Sequence, residues 1–182
     1  MDPATLDERV ARYLERLPAA AERMQTRIDD LLQLARLGRG EPNRRSLDLN
    51  AVVASVLDDL AVAISESDAR VDVGELPELE ADPAQMRVLF QNLLSNALKF
   101  HLPGGPPVVR IRCLPDFPPA DGGSEAPDTL VIVVEDEGIG FEPEYAERIF
   151  GAFQRLHGRE EYEGSGVGLA ICLRIVEQHH GT

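Results

Sequence analysis

Gln91-Asn92-Leu93-Leu94-Ser95-Asn96-Ala97-Leu98-Lys99-Phe100 carries two patterns at once. Met86, Phe90, Leu93 and Ala97 repeat at helical spacing. At roughly 100° per residue, Asn92, Asn96 and Lys99 then fall within an arc of about 60° on a different face. Carboxamide oxygens can ligate a hard cation, and an ammonium offsets phosphate charge, so the three suit a polyphosphate with its magnesium ion. Taken alone, the triplet reads more readily as a solvated helix face.

Two further segments extend the pattern. Leu130 to Glu135 is a β-branched run that reads as a buried strand, and Asp136 stands at its end, where Asp136-Glu137-Gly138-Ile139-Gly140 turns the chain. A carboxylate there can accept from the exocyclic amine of a purine, while Gly138 and Gly140 let the backbone pass close to the ring. Gly164-Ser165-Gly166-Val167-Gly168 runs into an apolar helix of Leu169, Ile171, Cys172, Ile175 and Val176. The start of that helix offers unpaired N–H groups and a positive dipole end to an anion. It is not a Walker loop, because no Lys-Ser or Lys-Thr follows the last glycine.

In order, spacing and context the three segments resemble the N box and the two glycine boxes of the histidine kinase branch of the GHKL superfamily. Arg148-Ile149-Phe150-Gly151-Ala152-Phe153-Gln154-Arg155 is similar to that family's F box, and the resemblance runs from about Asp48 to Thr182. Phe153 to Tyr162 is especially similar to kinases fed by phytochrome or PAS modules. The resemblance implies a two-layer α/β sandwich of the Bergerat type that binds ATP and Mg2+. In that scheme Asp136 recognises adenine, Asn96 with Asn92 holds magnesium, and Lys99 and Arg155 contact phosphate oxygens. Gly138, Gly140, Gly164, Gly166 and Gly168 shape the backbone around the nucleotide. It also implies a homodimer through the N-terminal helix of a parent kinase, and a response regulator receiver domain as partner.

Composition agrees with this. A chain of 182 residues with 43% hydrophobic content builds one core of ordinary size plus an appended element. A net charge of −14 argues against a nucleic-acid surface, which needs clustered Lys and Arg. Cys113 and Cys172 are isolated and read as core thiols. No apolar run approaches a membrane span and Met1-Asp2-Pro3 begins no signal peptide, so a cytoplasmic location is expected.

The organisation reads as a bundle-forming helix over 1–38, a linker over 39–46 and an ATP-binding domain over 47–182. From Val10, the positions Leu14, Leu17, Ala21, Met24, Ile28, Leu31 and Ala35 alternate steps of four and three, the seam of a coiled coil or bundle. Together with Ala21-Glu22-Arg23-Met24 and Ile28-Asp29-Asp30-Leu31-Leu32, the seam resembles the second helix of the kinase dimerisation hairpin. Pro18 predicts a kink or a helix start, and Gly38-Arg39-Gly40-Glu41-Pro42 a joint. Strands are expected at Arg44 to Asp48, Arg70 to Val73 and Val108 to Leu114. A helix is expected through Val53, Val56, Leu57, Leu60 and Ile64, and a long loop from Pro115 to Asp128. Gln154 to Glu163 reads as a lid, with Phe150 and Phe153 packing as its anchors.

Two departures bound the expected activity. The family's phosphoacceptor is a His followed by an acidic residue, whereas His101, His157, His179 and His180 lie in other contexts and read as surface or packing residues. The chain stops at Gly181-Thr182, where the family continues into further strands, so it reads as a piece whose sheet edge is left unpaired. The competing enzyme class is a GHKL ATPase, which places a Glu general base one turn before the metal-binding Asn. Here that position is Asn92, which favours transfer to a protein nucleophile. A serine-directed anti-sigma kinase, and a nucleotide-binding or dimerisation module without activity, are the remaining alternatives.

Overall fold

Two aspartates set where the helices beside the sheet begin. Asp48 closes a strand, β1 (Arg45–Asp48), and its carboxylate accepts from the N–H of Asn50 at 2.8 Å to cap α2 (Leu49–Asp59). Hydrogen bonds from the side chain and backbone of Asn50 hold the Asp48 carboxyl below the ordinary carboxylate range. Asp82 does the same for α4 (Pro83–Lys99), accepting from Ala84 at 2.9 Å and Gln85 at 3.1 Å. Pro83 follows at the first helical position, where a missing N–H costs nothing.

The computed structural model describes residues 3–37, 40–114, 130–156, 162 and 164–182. A long helix, α1 (Pro3–Leu37), leads into β1 and α2, and α3 (Ala61–Glu66) follows. Next come β2 (Arg70–Val73), β3 (Glu78–Ala81), α4, β4 (Val108–Leu114) and β5 (Val131–Asp136). Two short 3₁₀ turns, Pro143–Tyr145 and Arg148–Phe150, precede α5 (Gly168–Gln178). The expected loop from Pro115 to Asp128 and the residues Gly38 and Arg39 of the expected joint lie outside the described residues.

The main sheet runs β2-β4-β5, with β2 parallel and β5 antiparallel to β4, and β1 pairs antiparallel with β3 in a second, two-stranded sheet. Alternation along β4 sends Val109 and Ile111 inward, both fully buried, while Arg110 and Arg112 face away. On that outer face Arg110 pairs with Glu137 at 2.7 Å and Arg112 with Glu135 at 2.5 Å. Helices cover the inner face, where Val53 and Val56 of α2, Phe90 and Leu94 of α4, and Ile171 and Ile175 of α5 join one core. Burying side chains of this size stabilises by about 1.5–3 kcal/mol each. The result is a two-layer α/β sandwich preceded by a long helix, as expected from the sequence.

Three local expectations need correction. The helix through Val53 to Ile64 is two helices that break at Leu60, whose ψ of 4° leaves the helical range. Inside α4, Leu94 rather than Leu93 is the fully buried member of the apolar face. The helix does not begin at Pro18: α1 runs through it as one element, with the proline exposed. Leu14, Leu17, Met24, Ile28 and Leu31 are 45–65% exposed, an apolar seam without a partner among the described residues. No helix is long and apolar enough to cross a membrane among the described residues.

Candidate nucleotide-binding site

The C-terminal half of α4 packs against the start of α5, and this contact gathers the predicted residues. Asn92 donates its amide to the carbonyl of Val88 at 2.9 Å, one turn back, which turns Oδ1 outward. That oxygen faces Gly168 so closely that an added Cβ would lie 2.6 Å from it, so a side chain at the first residue of α5 would push the Asn92 amide aside. Asn96 lies one turn on, half-buried, with no side-chain hydrogen bond among the described residues. Lys99 ends the helix, with Nζ 4.3 Å above the Phe100 ring and 2.8 Å from the position of a Cβ on Gly164. Three elements therefore meet at one place: the amide face of α4, the ammonium at its end, and the glycine turn before α5.

The turn leaves donors pointing at that place. Ile171 is bonded to the carbonyl of Val167, so the N–H groups of Gly168, Leu169 and Ala170 precede the first backbone bond of α5. No side chain caps this end, which suits an anion. Gly166, at φ +76°, lies against the backbone of Phe153 and Gln154, tying the turn to the F-box segment. From that segment the Arg155 guanidinium donates to the carbonyls of Tyr162 and Gly164. Of the expected lid, residues 157–161 and 163 lie outside the described residues.

Asp136 reaches the site by a tight contact. Its Oδ1 lies 2.4 Å from where a Cβ on Gly138 would stand, and the Phe100 carbonyl lies 2.5 Å from the same point. Ile139 donates to that carbonyl at 2.8 Å, and His101 bridges to Gly138. The exit of β5 is thereby bound to the end of α4. Register pairs Asp136 with the buried Val109, so its exposed carboxylate stands on the helix-covered side of the sheet. Gly140, at φ +61°, has open space around it and meets none of the other site residues. A shallow depression of about 590 Å³ follows β5, lined by Arg112, Leu114, Val133, Val134, Glu135 and Asp136. It does not include the amide face of α4 or the glycine turn, and of the predicted site residues it takes in only Asp136.

Two residues gain a place that sequence reasoning did not assign. The ring of Tyr162 tilts at 50° over Phe100, with centroids 5.0 Å apart, and so brings the end of the lid onto the end of α4. Its signal was weak: it is the single aromatic between Gln154 and Glu163. His179, expected on the surface or in packing, accepts from the N–H of Asp82 at 3.1 Å, a contact across 97 positions that no local pattern announces.

No group of three or more His, Cys, Asp or Glu that could hold a metal occurs among the described residues. A magnesium ion here would rest on carboxamide oxygens and on phosphates, which is its usual habit beside a nucleotide. The outward Oδ1 of Asn92 and the unbonded amide of Asn96 fit that donor set.

The family model for histidine kinase-, DNA gyrase B-, and HSP90-like ATPases matches residues 81–182. The phytochrome-like protein Cph1 of Synechocystis is 38% identical over 97% of this chain and 22% of its own length. The sensor histidine kinase CusS of Escherichia coli O157:H7 is 32% identical over 88% of this chain and 32% of its own. This chain thus spans between a fifth and a third of those relatives. Among solved structures, full-length ShkA in complex with AMPPNP superposes with a TM-score of 0.68 at 24% identity, over 94% of this chain and 34% of that one. A mycobacterial sensor histidine kinase, MprB, superposes at 0.58 and 27% identity, over 76% and 82%. With the match spanning α4 through α5, the chain belongs to the histidine kinase-, DNA gyrase B-, and HSP90-like ATPase family.

Proposed function

We propose that this chain is the ATP-binding catalytic part of a two-component sensor histidine kinase, which passes the γ-phosphate of ATP to a histidine outside it. The observation that carries the reading is the convergence of Asn92, Lys99 and the Gly164 to Gly168 turn at the start of α5. The names of the relatives point the same way. In this reading residues 1–38 are one helix of the dimerisation hairpin, 39–46 the linker and 47–182 the catalytic domain. Asp136 accepts from the adenine amine, and Gly138 and Gly140 keep the backbone near the ring. Asn96 and Asn92 hold Mg2+ by their carboxamide oxygens, and the metal neutralises phosphate charge when bound. Lys99 and Arg155 contact phosphate oxygens, with Gly164, Gly166 and Gly168 presenting backbone donors. Catalysis is then positioning and charge stabilisation, the general logic of phosphoryl transfer. The parent protein pairs as a homodimer through α1, hands phosphate to a response regulator receiver domain, and works in the cytoplasm.

Asn92 separates this reading from the ATPase alternative, because a carboxamide takes no proton from water at neutral pH. Calorimetry with ATP and magnesium tests binding, and Asp136→Ala should abolish it while the circular dichroism spectrum is kept. Labelled phosphate should appear on a histidine-bearing hairpin supplied in trans, and none on the chain alone. Steady ATP turnover that disappears in Asn92→Ala would place the protein in the hydrolytic branch instead.

A further inference from the structure

The C-terminal turn of α5 holds three distant parts of the chain at once. Gln178 donates its side-chain amide to the carbonyl of Leu37, the last residue of α1. The carbonyl of Gln178 accepts from the Arg44 guanidinium at 2.6 Å, on the far side of the joint. His179 accepts the N–H of Asp82 through Nε2 at 3.1 Å, and its Nδ1 lies 2.8 Å from the carbonyl of Ile175. A backbone N–H can only donate, so Nε2 is bare and Nδ1 carries the proton. Asp82 caps α4, and its other carboxylate oxygen accepts from the N–H of Asn43 at 2.9 Å.

We propose that this turn is a fastening that fixes the bearing of the α1 arm on the nucleotide domain, with Gln178 and Arg44 as its positioning residues. Gln178 and Arg44 grip the chain on both sides of residues 38–43, and Leu37 is buried in the domain core. The chemistry of Gln178 argues for position over stability. Its Oε1 is buried without a hydrogen-bond partner among the described residues, so the one described bond of this side chain is the bond to the arm. The bond that an apolar residue cannot make is the one to the arm. Because α5 is a single helix of 11 residues, about 16 Å long, it reaches from the turn against Asn92 to the arm without a hinge. If the kinase reading above holds, the fastening sets where the phosphate-facing turn stands relative to the hairpin.

Spin labels placed by Arg27→Cys and Asp58→Cys, in a background of Cys113→Ser and Cys172→Ala, report the bearing by pulsed dipolar spectroscopy. Labelled chain is diluted with unlabelled chain so that only distances within one molecule are read. The parent is expected to give one narrow distance. Gln178→Leu and Arg44→Ala should each lose that single peak while the domain keeps a cooperative melting transition. Arg174→Ala, which removes an exposed pair with Glu177 on the same helix, should keep it. A single narrow peak in both Gln178→Leu and Arg44→Ala overturns the fastening, as does a broad distribution in the parent. ATP affinity measured on the same samples keeps the two readings apart. A parent that shows the narrow peak but binds no ATP sinks the kinase assignment and leaves the fastening in place.

Discussion

Gly138 is the residue at which fold and chemistry are hardest to separate. Two oxygens, Oδ1 of Asp136 and the carbonyl of Phe100, occupy the space a side chain would need, at 2.4 and 2.5 Å. The carbonyl belongs to backbone and cannot swing aside, so Gly138→Ala has to part β5 from the end of α4. We expect a loss of about 1–3 kcal/mol in urea unfolding, the usual range for overpacking. Nucleotide affinity should fall further than stability alone requires, because the Asp136 carboxylate is displaced from the end of α4. A variant as stable as the parent would show that the loop has room to relax. Asp136 at a strand end and the paired glycines were legible in the sequence. The reason Gly138 must be glycine was not, since Phe100 lies 38 positions earlier in the chain.

Among the elements, α4 depends on its cap more than its length suggests. Asp82 satisfies two orphan N–H groups of α4 and the N–H of Asn43 with a single carboxylate. Asp82→Asn keeps a capping oxygen, whereas Asp82→Ala removes it and should cost about 1 kcal/mol or more. Thermal unfolding should rank parent, Asn and Ala in that order; equal melting for Asn and Ala would mean that the cap contributes nothing. β2 and β4 could be bounded from sequence to the residue, because Arg70–Val73 and Val108–Leu114 alternate or run apolar between turn signals. β3 was missed because Glu78-Leu79-Glu80-Ala81 is half acidic, and it holds as a strand only by pairing with β1 some thirty positions away. The break at Leu60 was missed for the opposite reason: no glycine or proline marks it. For the site, the amide face of α4 and the glycine turn were each legible, but their meeting at Gly168 is a long-range fact.

At the scale of the whole molecule, the seam of α1 is an apolar surface left without a partner among the described residues. An apolar stripe from Leu14 to Leu31 at alternating four and three spacing calls for another helix. Sedimentation should therefore find the chain self-associated, and Leu17→Glu with Ile28→Glu should return it to monomer without loss of the domain's melting transition. A parent that sediments as a monomer at all concentrations would exclude pairing through this helix alone.

The flank of β5 has its own consequence. Val131, Ile132, Val133 and Val134 form a strand bonded to β4 on one side and to no described strand on the other. Such a run is a template for cross-β growth. What stands against it is the acidic cluster that follows, Glu135, Asp136 and Glu137, all exposed, which acts as a gatekeeper by like-charge repulsion. Salt weakens that guard, since the screening length shrinks to about 3 Å at 1 M. Thioflavin-positive fibrils should thus form faster from heated chain as salt is raised, and faster still in Glu135→Gln. The carboxylate proposed to read adenine also takes part in keeping neighbouring molecules apart.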